Sequence, residues 1–76
     1  MVNNQNLRIE LSKFGRIIFC DVANEHCWNV LLDTDQIVID NIKAVCDSFL
    51  FPEYDLILSM TLEDNIFIAS YFKEPI

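Results

Sequence analysis

Tyr54-Asp55-Leu56-Ile57-Leu58-Ser59-Met60-Thr61-Leu62, then Glu63-Asp64-Asn65, then Ile66-Phe67-Ile68-Ala69-Ser70-Tyr71-Phe72, is the stretch that decides the fold class. In its first run Tyr54, Leu56, Leu58, Met60 and Leu62 alternate with Asp55, Ile57, Ser59 and Thr61. A two-residue period belongs to a strand, because successive side chains point to opposite faces. Glu63-Asp64-Asn65 supplies a polar turn, and residues 66–72 return as a second strand, so the chain ends in a hairpin.

Upstream of this hairpin the period changes. Asp33-Thr34-Asp35-Gln36 has the form of a helix start, with Asp33 as cap, Gln36 reaching back and Asp35 at the positive end of the dipole. Ile39, Ile42, Val45, Cys46 and Phe49 then recur at spacings of three and four, with Asp40, Asn41, Lys43, Asp47 and Ser48 on the other side. Pro52 closes the helix. A competing reading makes Ile37-Val38-Ile39 a short strand and lets Asp40 cap a shorter helix from Asn41.

Nearer the N-terminus, residues 1–6 read as a frayed tail and Leu7, Ile9 and Leu11 alternate with Arg8, Glu10 and Ser12, the pattern of a first strand. Phe14-Gly15 marks a turn, with Gly15 free to take positive φ. Arg16 to Val22 follows as a second strand. Its Ile17-Ile18-Phe19-Cys20 run is apolar on both faces and is expected at the centre of the sheet. Ala23-Asn24-Glu25 turns the chain, and Cys27 to Leu32 returns as a third strand with Trp28, Val30 and Leu32 on one face; a helix over 23–32 is the alternative. The expected architecture is α+β, a single two-layer domain spanning 1–76. An antiparallel sheet of about five strands carries one helix on one face, in the order β-β-β-α-β-β, and 73–76 form a short tail.

Composition narrows the function. Only 76 residues carry 53% hydrophobic side chains, six of them Phe, so a small sphere has more apolar surface than it can bury. Twelve Asp and Glu stand against five Lys and Arg, a net charge of −7 that repels phosphate backbones and anionic membranes and attracts basic proteins. The cysteines Cys20, Cys27 and Cys46 are odd in number and fit free thiols in a reducing cytoplasm. The polar start of the chain lacks the charged and apolar regions of a secretory signal.

Catalytic chemistry finds little support. Cys20, His26 and Cys27 are the only neighbouring soft or imidazole ligands, with no Cys-x-x-Cys pair and no second His. Consecutive residues His26 and Cys27 on a strand point apart, and a Cys20–His26 pair would lack an oxyanion site. The carboxylate pairs Asp33/Asp35, Glu53/Asp55 and Glu63/Asp64 fall in turns and caps, where local structure already favours them. Neither a metal nor a cofactor is expected. A single glycine excludes phosphate loops, and Arg8, Lys13 and Arg16 make no nucleic-acid footprint.

The expected function is therefore that of a small acidic, non-catalytic protein that binds and inhibits a larger basic one, itself nucleic-acid-binding. Phage-encoded counter-defence proteins such as anti-CRISPR and anti-restriction inhibitors, and toxin-immunity proteins, share this physical type; a phage-encoded chain would act in the host cytoplasm. Asp33, Asp40 and Asp47 recur every seven residues and on one helix would form a carboxylate stripe rising about 10.5 Å per step. Such a stripe could act as a DNA mimic, although a solvated helix face explains the same spacing. The partner-binding residues expected are Asp33, Asp35, Asp40 and Asp47 for steering, with Trp28, Phe51, Tyr54 and Tyr71 as anchors. The alternative is a homo-oligomeric structural or regulatory module, such as a homodimer, meeting through the final strand and the Phe49–Phe51 corner.

Overall fold

The computed structural model describes residues 1–35 and 39–74. Along them run α1 (Asn4–Leu11), β1 (Arg16–Asn24), β2 (Cys27–Asp33), α2 (Ile39–Leu50), β3 (Leu56–Glu63) and β4 (Ile66–Phe72). The strands form one antiparallel sheet in the order β1-β2-β4-β3. The class is α+β as expected, with four strands and two helices among the described residues in place of five strands and one helix.

The central pair, β2 and β4, is built by strict alternation. Trp28, Val30 and Leu32 lie opposite Tyr71, Ala69 and Phe67, and all six are buried. Their neighbours Asn29, Leu31, Ile68 and Ser70 face the other way and are half-buried. The buried row continues into Cys20 on β1 and is covered by Leu7 and Leu11 of α1 and Ile42, Cys46 and Leu50 of α2. Both helices therefore pack on the same face of the sheet, and the opposite face has no second layer among the described residues.

Of residues 7–12, expected to be a strand, Leu7 to Leu11 are helical and Ser12 is the C-cap. Leu7 and Leu11 are four apart and both buried, while Ile9 is 53% exposed. A helix stacks the first two on one face; a strand would have buried all three. The helix begins inside the stretch read as a frayed tail: Asn3 caps it, its side chain accepting from the Asn6 N–H at 3.1 Å.

The Ile17–Cys20 run, expected at the sheet centre, lies on edge strand β1. A bulge between Ile17 and Phe19 explains apolar residues on successive positions without two buried faces. A bulge on β3, between Ile57 and Ser59, breaks the alternation expected over 54–62: Ile57, Met60 and Leu62 lie opposite the buried row of β4, and Leu56 opposite Phe72. The final strand, expected at the self-association contact, sits inside the sheet.

Asp33 ends β2 rather than starting a helix, so the heptad of aspartates does not share one helix. Gln36, its expected capping partner, lies outside the described residues, as does the Ile37-Val38 part of the alternative strand; Asp40 falls in the first turn of α2. The β3–β4 turn is formed by Asp64 and Asn65 at φ 51° and 64°, the left-handed pair a two-residue hairpin loop requires.

Gly15 does not use positive φ. It is needed for space, because a Cβ there would sit 2.0 Å from the carbonyl oxygen of Asp33. The same junction is tied by the Thr34 hydroxyl donating to the Phe14 carbonyl at 2.7 Å and the Thr34 N–H donating to Asn65 at 2.8 Å. Gly15→Ala is expected to lower unfolding stability by about 1–3 kcal/mol, since backbone rather than a flexible side chain must move. Urea denaturation with an unchanged m-value and a lower midpoint is the expected reading.

Candidate protein-binding surface

Sheet topology sends acidic residues to the two ends of the molecule. At one end β2 stops at Asp33 and β3 stops at Glu63, both opposite Ile66 of β4. The Thr34 N–H bond to Asn65 then draws Asp35 toward the Asp64-Asn65 turn. Asp33, Asp35, Glu63 and Asp64 are thus gathered by strand pairing, although they span positions 33 to 64 of the sequence. Asp33 is ion-paired with Arg16 at 3.1 Å, whereas Asp35, Glu63 and Asp64 are exposed. Asp40, also exposed, stands in the first turn of α2, where a carboxylate is favoured by the helix dipole.

At the other end, the β1–β2 turn and the start of β3 flank a cleft of about 650 Å³ lined by Glu25, His26, Glu53, Asp55, Lys73 and Glu74 among others. Lys73 bridges to Glu53 at 3.2 Å and lies 5.0 Å from the centre of the Tyr54 ring. That hydrogen bond holds the Glu53 carboxyl below its ordinary range and raises the Lys73 ammonium above its own. His26 approaches Glu25 at 3.5 Å through Nε2, and its buried Nδ1 has no hydrogen-bond partner. Among the described residues no group of three or more His, Cys, Asp or Glu side chains is placed to hold a metal ion. No described helix is long and apolar enough to cross a membrane.

Of the other expected site residues, Asp47 and three of the aromatic anchors are not surface groups. Asp47 is largely enclosed: it accepts from the Tyr71 hydroxyl at 2.7 Å and from Lys43 one helical turn earlier. It holds α2 to the central strand β4, so it does not belong to a solvated stripe. Trp28 and Tyr54 are 5% and 3% exposed and meet edge to face at 5.8 Å, and Tyr71 is fully buried. Phe51, by contrast, is 41% exposed, its ring edge-on to Tyr71. Of the four aromatic residues expected to anchor a partner, Phe51 alone is open to solvent. In the sequence Glu63 and Asp64 read only as turn formers; the signal that places them beside Asp33 and Asp35 is the pairing of β2 and β3 with the same strand.

The thiols fall in two environments. Cys20 and Cys46 are buried, and burial pushes both upward, Cys46 to about 12. That direction is opposite to the activation a thiolate nucleophile needs. Cys27 is half-buried on the outer sheet face, its sulfur 3.3 Å from the Asn29 side-chain oxygen.

No family model, no curated protein and no solved structure matches this chain.

Burial of these groups is expected to lower stability at alkaline pH. Cys46 is raised by burial from its ordinary 9.0, and Tyr71 is raised from 10.0, first by burial and then by donating to Asp47. In both, the folded state keeps a proton the unfolded chain gives up. Their contribution is whole below the unfolded pKa and declines as pH rises above about 9 for the thiol and about 10 for the phenol. Unfolding free energy is expected to fall above pH 9 with a slope approaching 1.4 kcal/mol per pH unit for each deprotonating group. Tyr71→Phe should flatten the segment above pH 10 while lowering stability at neutral pH by about 1 kcal/mol through the lost hydrogen bond. An unchanged slope in that variant would remove Tyr71 from the account.

Proposed function

We propose that this protein is a small acidic, non-catalytic binding protein that occupies a basic surface on a larger, nucleic-acid-binding protein and keeps the nucleic acid out. The observation that carries the reading is the one-sided use of charge. Every Lys and Arg is engaged by a group of the same chain at the surface: Lys13 with Glu10, Arg16 with Asp33, Lys43 with Asp47, Lys73 with Glu53, and Arg8 with the Cys20 carbonyl and Asn4. The remaining eight acidic residues, Asp21, Glu25, Asp35, Asp40, Asp55, Glu63, Asp64 and Glu74, are exposed and without a Lys or Arg partner among the described residues. A partner approaching from solvent meets carboxylates not already neutralised.

Such a surface attracts cationic proteins over roughly a Debye length, about 8 Å at physiological ionic strength. The end carrying Asp33, Asp35, Glu63 and Asp64, with Asp40 nearby in the chain, is the better candidate for contact. It lies at and just beyond the ends of paired strands, whereas at the cleft end Glu53 is already joined to Lys73. Counter-defence inhibitors and toxin-immunity proteins are the functional types that use this physics.

The test is a triple variant, Asp35→Asn, Glu63→Gln and Asp64→Asn, assayed against basic nucleic-acid-binding proteins with a competing DNA oligonucleotide. The native chain should bind, displace the oligonucleotide and lose affinity as salt rises. The variant should keep its fold and associate several-fold more slowly at low salt, with a shallower salt dependence, since each exposed pair is worth about 0.2–1 kcal/mol. Binding that ignores both salt and the triple substitution would overturn the reading.

A further inference from the structure

The face of the sheet turned away from the helices is not built like a solvated one. On the two central strands Leu31 pairs with Ile68 near the middle of that face, Cys27 with Phe72 toward one end, and neutral Asn29 with Ser70 between them. All six are half-buried, none is charged, and nothing among the described residues packs over them. An antiparallel sheet that meets water on one side alternates to polar residues there. Leu31, Ile68 and Phe72 depart from that rule.

Carboxylates stand at both ends of this uncharged stretch. Beyond Leu31 and Ile68 come Asp33 and Glu63, in register with each other across Ile66, and then Asp35 and Asp64 past the strand ends. Beyond Phe72 come Glu25, Asp55 and Glu74, which line the cleft of about 650 Å³. Leu56 joins the two features: it lies opposite Phe72 on the outer face and also lines the cleft. The cleft therefore adjoins that end of the face. Among the described residues, Asp33 alone of these acidic groups has a Lys or Arg partner.

We propose that the open face docks a basic amphipathic helix of the partner, apolar along the stripe that meets Leu31, Ile68 and Phe72, with Lys or Arg toward both of its ends and one such cation seated in the cleft. The inference rests on the reading of a basic partner and names the part of that partner that makes contact. Charge decides among occupants. A second copy of this chain would bring −7 against −7, and a nucleic acid would bring phosphate against carboxylate. Only a cationic occupant gains at both ends of the face. The sheet decides its form. β2 and β4 are hydrogen-bonded to strands on both sides, so the face offers side chains and no free ladder. The occupant must satisfy its own main chain, as a helix does, and helix on sheet is a standard way to bury such a face. Cys27 to Asp33 spans about 20 Å of strand, the length of about thirteen helical residues. The four strands are about 14 Å across from first to last, room for one helix of about 10–12 Å.

The probe is a blocked synthetic peptide of about fourteen residues, with Leu every three or four residues on one stripe and Lys toward both ends. It is titrated into the full isotope-labelled chain and followed by amide chemical shifts. The shifts should centre on Asn29, Leu31, Ile68 and Ser70. A scrambled peptide of identical composition should bind at least about tenfold more weakly, because it keeps the charge and loses the stripe. Leu31→Thr with Ile68→Thr should weaken the striped peptide about tenfold. The shift map is read on the native chain and stands whether or not the substituted sheet folds. No binding, equal binding of the scrambled peptide, or shifts centred on α1 and α2 would each overturn the proposal. Displacement of a DNA oligonucleotide from a basic protein is a separate readout. Docking on this face without displacement keeps the helix site and removes the exclusion of nucleic acid; displacement with shifts on the helix side does the reverse.

Discussion

The unbroken pairing of β2 with β4, from Cys27 opposite Phe72 to Asp33 opposite Ile66, is the constraint on which the other features rest. Both edge pairings carry register shifts; this one carries none. Because side chains alternate with period two, a slip of one residue would turn Trp28, Val30, Leu32, Phe67 and Tyr71 away from the helices. It would also separate the Tyr71 hydroxyl from Asp47, the contact that ties α2 to the sheet. Asp33 and Ile66 end together only in this register, and their shared terminus brings the Asp35 segment to the Glu63-Asp64-Asn65 turn. The candidate surface is a consequence of strand register more than of any local motif.

Where one physical cause governed a segment, the sequence was readable. Strict alternation in Cys27–Asp33 and Ile66–Phe72, amphipathic spacing in Ile39–Leu50 and the Asp64-Asn65 turn all appear in the structure. Where two periods coincide, it was not. Leu7, Ile9 and Leu11 satisfy a strand by twos and a helix by fours, and Asn3, the cap that separates the readings, looked like part of a polar tail. Ile17–Cys20 and Leu56–Leu58 are runs in which a bulge doubles the apolar count, and without coordinates a bulged edge resembles a doubly buried centre. Asp33-Thr34-Asp35 has capping chemistry, but tertiary pairing of Asp33 with Arg16 and of Thr34 with Phe14 and Asn65 claimed those groups first.

The site was legible in sign and not in position. A surplus of carboxylates can be counted, and Lys43 four residues before Asp47 is a helical pair visible in sequence. The pairs Arg16–Asp33 and Lys73–Glu53 span seventeen and twenty residues and are invisible without the fold. The aromatic anchors illustrate the opposite error. Trp and Tyr are common at interfaces, but a chain of this size needs its largest side chains inside, and Trp28, Tyr54 and Tyr71 serve there. The large apolar side chains left outside are mostly aliphatic, with Phe19 and Phe51 beside them, and lie mainly on the two edge strands.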